Sequence, residues 1–529
     1  MKKFQPLFLL LLLARIACAA LSAPATPTKA PFPYVWATAH HILPQTTSDE
    51  AGYFSIIQGH NGRIYIGTAK DDADAYLVEF DPQTNQQRIV IDTNKVNGLT
   101  ATGYAAQAKI HTRNFVGASG KIYCGSQEGY RDIPGDKSVY QGGFVMTYDP
   151  TTEKAESLGM PMKGEGIIDV VADEARNSLY VVTTLGEDKV AHWLVGNIKT
   201  KSYHELGPLP TDYASTLLDN KGRANVMTAD SRIATYDPQT GKIAVRDIML
   251  NGKKWVRNND SAVPTWQLTP DKNGAYLVLM NEATLFHLDL RGNGSVKAKV
   301  LCQLIGGKGF DSRSSLTVAP DGRVYALIKT DNETGFGNFP LQHLTRYDPT
   351  TERAVDLGVL AVKNPTFYDF SPDKQRPNAA PYTYHGYDKL PDGTLAPTTV
   401  NQGLVAAKDG TMYALILYPY TLLKMESAAP AGEGFEPQRT NVLDHAQIPV
   451  LNSKGLAAAL VTPKLASPSQ QYIDFSLRSC DNVEKNLPQI TRIAEIVADR
   501  HIKGGLLGFP WNSQSLQQEI AGRAGGLMN

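Results

Sequence analysis

Histidine, arginine and tyrosine gather in four short clusters of this sequence, and these are side chains that hold an anion and move a proton. The first cluster is Lys109-Ile110-His111-Thr112-Arg113-Asn114. Two residues apart on a strand, His111 and Arg113 would share one face. A guanidinium forks onto a carboxylate or sulfate, and an imidazole exchanges a proton near neutral pH. The second is Glu128-Gly129-Tyr130-Arg131-Asp132, where Tyr130 offers a ring to stack on a sugar and Arg131 a fork for its carboxylate. The third, Tyr382-Thr383-Tyr384-His385-Gly386-Tyr387-Asp388, surrounds His385 with three aromatics, a composition common in binding loops. In the fourth, Asp311-Ser312-Arg313-Ser314-Ser315, Arg313 enters its repeat where Arg113 enters another. Plainer readings stand beside these: His111 as a satisfied strand residue, Tyr130 and Arg131 on a solvent-exposed turn, and 382–388 as a packed insertion.

Other chemistries leave no signature. The sequence contains no P-loop, Gly-x-Ser-x-Gly elbow, HExxH or EF-hand loop, and no Cys-x-x-Cys pair. It identifies no cofactor and no metal-ligand set. Cys124, Cys302 and Cys480 are too widely spaced for a zinc site and read as buried thiols. His40-His41 lacks a third ligand nearby and reads as a surface pair. Lys plus Arg equals Asp plus Glu at 52 each, so no global field attracts nucleic acid or an anionic membrane. Lys2 and Lys3 precede the apolar run Leu7 to Leu13, followed by small residues at Ala17-Cys18-Ala19 and Leu21-Ser22-Ala23. That order predicts a secretory signal over 1–23, too short to span a bilayer, and hence an exported chain, periplasmic or extracellular, with no membrane span once mature.

The elements that must position these clusters repeat. A short apolar strand, a turn and Gly-basic-aliphatic-Tyr recur as Gly62-Arg63-Ile64-Tyr65, Gly120-Lys121-Ile122-Tyr123, Asn177-Ser178-Leu179-Tyr180, Gly222-Arg223-Ala224-Asn225, Gly274-Ala275-Tyr276, Gly322-Arg323-Val324-Tyr325 and Gly410-Thr411-Met412-Tyr413. Most are followed by a third strand, an Asp-Pro turn and a fourth strand, as in FVMTYDPTTEKAESLG and LTRYDPTTERAVDLG. Proline fixes φ at the second turn position and the Asp carboxylate accepts backbone N–H groups. Spacings of 58 from Gly62 to Gly120, 45 from Asn177 to Gly222 and 48 from Gly274 to Gly322 match or slightly exceed the ~40 to 50 residues of four-stranded propeller blades. From Gly322 to Gly410 the spacing is 88, so an insertion falls between Gly358 and about Val400. The seventh repeat holds three strands, and Tyr34 to Leu43 supplies a candidate fourth that would close the ring.

The expected fold is all-β: a seven-bladed β-propeller of four-stranded antiparallel blades over 34–427, after a linker at 24–33. An irregular segment at 428–470 and a short α/β segment at 471–529 follow. In the latter, Val483, Leu487, Ile490, Ile493 and Val497 keep helical spacing, Gly504-Gly505 breaks it, and Leu506 to Trp511 reads as a strand. One βα unit cannot bury a core of its own, so this piece is expected to dock on the propeller or to continue beyond the sequence.

The repeat resembles the broad seven-bladed propeller superfamily of YVTN, quinoprotein-like and oligogalacturonate-lyase-like extracytoplasmic proteins, and the C-terminal segment resembles the start of a sugar-isomerase-type phosphosugar domain. The resemblance implies a carbohydrate partner, an acidic oligosaccharide or polysaccharide bound or cleaved by a lyase. Propeller lyases of this kind use Arg to neutralise the carboxylate and His or Tyr to take the C5 proton. Carried onto this sequence, His111 and Tyr387 become the proton-transfer pair, and Arg113, Tyr130, Arg131, Arg313 and His385 the substrate-binding set. The family's metal-binding His set has no counterpart here. A noncatalytic propeller that binds a protein or a glycan is the competing reading.

Overall fold

Asp-Pro pairs close hairpins throughout this chain. Asp81 accepts from the Gln83 N–H at 2.9 Å, Asp149 from Thr151 at 2.9 Å, Asp237 from Gln239 at 2.9 Å and Asp348 from Thr350 at 2.9 Å. The computed structural model describes residues 29–425, with breaks at 49, 71–72, 130–134, 187, 257–263, 281, 307–308, 311–314, 372–385, 399–400 and 418, together with Thr491 and Arg492. The chain divides into two units, Met1–Ala457 and Ala458–Asn529. Of the second unit only Thr491 and Arg492 are described, as helix, so the α/β expectation lies outside the described residues.

Within the first unit the strands pair as seven four-stranded antiparallel blades. Blade 1 is Glu50–Gln58, Ile64–Ala69, Tyr76–Phe80 and Gln87–Asp92; blade 2 is Phe115–Val116, Ile122–Gly125, Val145–Asp149 and Lys154–Gly159. Blade 3 is Ile167–Asp173, Ser178–Thr183, Trp193–Asn197 and Tyr203–Gly207, and blade 4 is Thr216–Leu218, Ala224–Met227, Arg232–Asp237 and Lys242–Leu250. Blade 5 is Pro264–Leu268, Gly274–Leu279, Thr284–Asp289 and Val296–Gln303; blade 6 is Leu316–Val318, Val324–Thr330, Leu341–Asp348 and Arg353–Val362. In blade 7, Asn401–Ala406, Met412–Ile416 and Thr421–Met425 are joined by the N-terminal strand Tyr34–His41, antiparallel from Ala37↔Met425 to His41↔Thr421. The first and last strands of the propeller thus meet in one sheet, which removes the open edge.

The glycine of the repeat has a backbone reason. Gly62, Gly120, Gly222, Gly322 and Gly410 sit at φ between +74° and +89°, and in blade 3 Asn177 takes the left-handed conformation instead. The tyrosine that follows makes the seams between blades. Tyr65 packs on Tyr148 of blade 2 at 6.0 Å, Tyr180 on Tyr236 of blade 4 at 6.0 Å and Tyr276 on Tyr347 of blade 6 at 6.5 Å. Tyr413 packs on Phe80 at 6.5 Å and joins the last blade to the first. In each pair the partner is the aromatic directly before the aspartate of the turn.

Blade 4 has Asn225 in place of the tyrosine, and its seam is polar. Asn225 accepts from Thr235 at 2.8 Å and from Arg246 at 3.0 Å. Arg223 donates to Leu290 O at 2.6 Å and Arg246 to Gly292 O at 2.8 Å, both carbonyls lying in the blade 5 turn.

The insertion expected before Val400 is seen in part: Tyr387–Lys389 and Leu395–Pro397 form a hairpin that pairs with the outer strand of blade 6 through Val362↔Leu395. His40 and His41, expected at the surface, are half-buried, with ring contacts to Phe80 at 4.8 Å and Tyr368 at 5.1 Å. Their places on the strand that completes blade 7 turn them into packing residues. Cys124 and Cys302 are free thiols, and burial pushes both up to about 12.

Replacing Tyr413 by Ala removes a buried ring at the closing seam and is expected to cost about 3 to 5 kcal/mol. Ile243→Ala, at an exposed strand position, is expected to cost under about 0.5 kcal/mol. Urea unfolding of the two variants reads the difference; equal midpoints would remove the seam from the account of closure.

Candidate functional site

Seven inner strands surround a central channel of about 1050 Å³, and every blade contributes lining residues to it. Such a volume suits a ligand of a few sugar rings. Chemistry is segregated along the channel. Toward one end of the channel the lining includes Phe54 from the middle of its strand and Arg113, Asp169, Thr216 and Thr265 near the starts of theirs; where the strands turn, it includes His60, Arg176, Lys221, Lys272 and Lys408.

At the strand-start end, Arg113 stands just before the inner strand of blade 2 and makes a parallel backbone bridge to Asp169 on blade 3. Its guanidinium carbon lies 4.4 Å from the Phe54 ring centroid, and its Nη1 donates to Tyr213 O at 2.9 Å. Phe54 and Tyr213 are themselves in edge contact at 5.4 Å, so residues of blades 1 and 2 meet the segment entering blade 4. Burial lowers the Arg113 guanidinium to about 10, against the favourable charge of Asp169. Asp169 is 1% exposed, and its Oδ2 accepts the Thr216 N–H at 2.7 Å. Burial pushes this carboxyl up to about 7, with Arg113 and Thr216 opposing the shift. Thr216 is held from behind by the Trp193 Nε1 at 3.2 Å, and Trp266 donates to Ser215 O at 3.0 Å.

At the other end, Lys221, Lys272, Lys408, His60 and Arg176 are exposed on the turns after the inner strands. The acids of this rim are engaged. Asp173 pairs with Arg176 at 2.6 Å and Asp219 with Arg223 at 2.7 Å. Glu174 accepts from the Ser119 N–H at 2.7 Å and the Tyr123 hydroxyl at 2.8 Å; burial opposes ionisation, but these bonds hold the carboxyl below its usual range. The mouth therefore presents Lys221, Lys272 and Lys408 beside the ion-paired Asp173 and Asp219 and the hydrogen-bonded, ionised Glu174.

Of the residues singled out in the sequence, Arg113 lies in the channel. His111 is buried at 3% exposure and outside the channel lining. The alternation expected to pair it with Arg113 requires a strand, and the strand begins only at Phe115; residues 109 and 113 make isolated bridges instead. Tyr387 is fully buried, its ring 5.9 Å from Phe367 and 5.5 Å from Phe370, in the core under the outer edge of blade 6. Of that cluster Tyr387 is a packing residue and, among the described residues, does not line the channel. Burial also pushes the phenol well above its usual range. Tyr130, Arg131, Arg313 and His385 lie outside the described residues. Asp169 was not anticipated, although a carboxylate inside the apolar run Ile167-Ile168-Asp169-Val170-Val171 is a signal of its own.

Asp169 sets a pH dependence of stability. Its folded pKa is raised above the unfolded value of about 3.9, so its contribution is fullest below that value and is lost as pH rises toward about 7. Asp169→Asn removes the titration and keeps the shape. The variant is expected to gain a few degrees in thermal midpoint over the parent at about pH 8 and little at about pH 5; thermal melts at the two pH values measure this, and an equal shift at both would refute it.

No family model matches the sequence, and no curated protein matches it. Similar solved structures include the WD40 repeats of RRP9 (8% identity, TM-score 0.39, covering 70% of this chain and 94% of that one) and the β-propeller domain of Cps50 (Swd1) from Myceliophteria thermophila (10%, 0.40, 71% and 97%). A third is the periplasmic gluconolactonase PpgL of Pseudomonas aeruginosa (11%, 0.39, 70% and 97%). These likenesses concern architecture alone, and the β-propeller fold of this chain rests on its own strand pairings.

Proposed function

We propose that this β-propeller is an exported protein that binds an acidic oligosaccharide in its central channel, with the lysine-bearing turns as the entrance. The observation that carries the reading is the charge arrangement: Lys221, Lys272 and Lys408 exposed around the mouth, Arg113 inside, and the rim carboxylates paired or hydrogen-bonded. A converging set of cations on low-dielectric walls concentrates a polyanion and slows its release. A chain of uronic acids supplies one carboxylate per ring and apolar ring faces for the aliphatic lining. Export is supported by the basic and apolar order of residues 2–13.

Binding is favoured over cleavage because the expected proton-transfer pair is not assembled: His111 and Tyr387 are both buried and neither lines the channel. Docking of a protein partner is a second reading. It is favoured by Val139 at 77% exposure and Leu185 at 43%, both on the connections between the second and third strands of neighbouring blades.

Calorimetric titration with oligogalacturonate and with a neutral oligosaccharide of equal length tests the proposal. Preference for the acidic chain is expected, with a Lys272→Glu, Lys408→Glu double variant weakening it about tenfold or more. Ultraviolet absorbance from an unsaturated product is expected to stay flat. Equal affinity for the two sugars, or indifference to the rim variant, would overturn the reading.

A further inference from the structure

Arg113 and Asp169 are backbone-bridged neighbours of opposite charge, yet their side chains do not close into an ion pair within 4.0 Å. The guanidinium is instead drawn against the Phe54 ring and fixed to Tyr213 O, while its Nη2 is buried and has no hydrogen-bond partner. A purely structural pair in low dielectric would gain by joining, since a charge-assisted bond is the main compensation for burying two ions. An arginine that forgoes that bond, with one buried nitrogen left unpartnered beside a channel-lining carboxyl, holds an unused donor for a third group that displaces the side chains covering it.

We infer that Arg113 and Asp169 form a carboxylate-binding subsite at the strand-start end of the channel, where a ligand carboxylate accepts from Arg113 Nη2 and shares a proton with the Asp169 carboxyl. This deepens the acidic-saccharide reading and rests on it. Two carboxylates cannot sit side by side as anions, so the ligand enters with Asp169 protonated, and above the pKa of Asp169 one proton is taken from solvent for each ligand bound. Burial holds the Asp169 carboxyl high enough for that proton to be present near neutrality. Arg113 from blade 2 is the charged group acting on Asp169; blade 4 contributes the neutral Thr216, and the second strand of blade 3 pairs Asp169 with the neutral Val182. The subsite therefore selects a carboxylate over a sulfate, which has no comparable tendency to share a proton near pH 7.

Calorimetric titration of the full chain with digalacturonate from about pH 5.5 to about pH 8.5, in buffers of different ionisation enthalpy, reads both affinity and proton uptake. The parent is expected to bind evenly below about pH 7 and to lose about tenfold in affinity per pH unit above it, with close to one proton taken up per ligand. Asp169→Asn keeps a neutral donor in place and is expected to bind without that slope and without proton uptake. Arg113→Lys keeps the charge but loses the fork and is expected to weaken binding about tenfold or more; if that variant fails to fold, Asp169→Asn still decides the question. Flat affinity in the parent, or the parental slope in Asp169→Asn, overturns the subsite while rim-dependent binding leaves the function standing. Absence of digalacturonate and oligogalacturonate binding at every pH overturns both.

Discussion

The ring contact between neighbouring blades is the interaction on which the rest of this structure depends. A four-stranded blade has two faces to cover and no core of its own, so each must bury apolar surface against its neighbours. Here the second-strand tyrosine of one blade meets the aromatic before the turn aspartate of the next, in the pairs Tyr65 with Tyr148, Tyr180 with Tyr236, Tyr276 with Tyr347 and Tyr413 with Phe80. The last of these joins the seventh blade to the first. It works together with the strand Tyr34–His41, because a ring of blades gains its final interface only when the first and last are held in register. Blade 4 shows that the requirement is for a satisfied seam rather than for aromatics: without the tyrosine, Arg223 and Arg246 bind the blade 5 turn through its carbonyls.

Rigid seams fix what the channel can be. Its walls are the seven inner strands, largely apolar along their length, and most of its charged side chains fall near the strand starts or on the turns that follow. The charged lining thus falls into two sets. At the turns, lysines reach solvent and form a mouth. Near the strand starts, Arg113 lies half-buried across Phe54 to Tyr213, and Asp169 is forced into a setting where its ionised form is disfavoured.

The fold was legible because its grammar is local. Glycine at a positive φ, aspartate accepting from the residue two ahead, and the tyrosine at a fixed offset each answer a short-range need, so they recur in the sequence as they do in space. The borrowed strand was legible for a related reason, since a three-stranded last repeat leaves one edge to be filled. The site was not legible in this way. Whether His111 faces the channel depends on where the strand of blade 2 begins, and two residues of irregular backbone removed the alternation that would have aligned it with Arg113. Whether Tyr387 binds or packs depends on its hairpin finding the outer edge of blade 6, a long-range event that composition does not encode. Asp169 carried the clearest unused signal, because a lone carboxylate in an apolar strand has to be compensated somewhere.

A chain with no net charge can still present a field to a ligand, and the blade topology accounts for how. In a four-stranded antiparallel blade, the connection after the first strand and the connection after the third emerge on the same face. The first kind carries Lys221, Lys272 and Lys408 around the mouth; the second carries Asp81, Asp149, Asp237, Asp289 and Asp348. Backbone N–H bonds hold Asp81, Asp149 and Asp237 below the usual carboxylate range, and Arg291 and the Thr350 N–H do so for Asp289 and Asp348, so these acids stay ionised. Inner and outer turns of one blade are separated by two strand spacings, about 10 Å, comparable with the Debye length at about 0.15 M salt. The inner turns also carry Asp173, Glu174, Asp219 and Asp271, so the lysines reach an approaching polyanion at the channel mouth in company with acids, while the outer-turn carboxylates lie about a Debye length away.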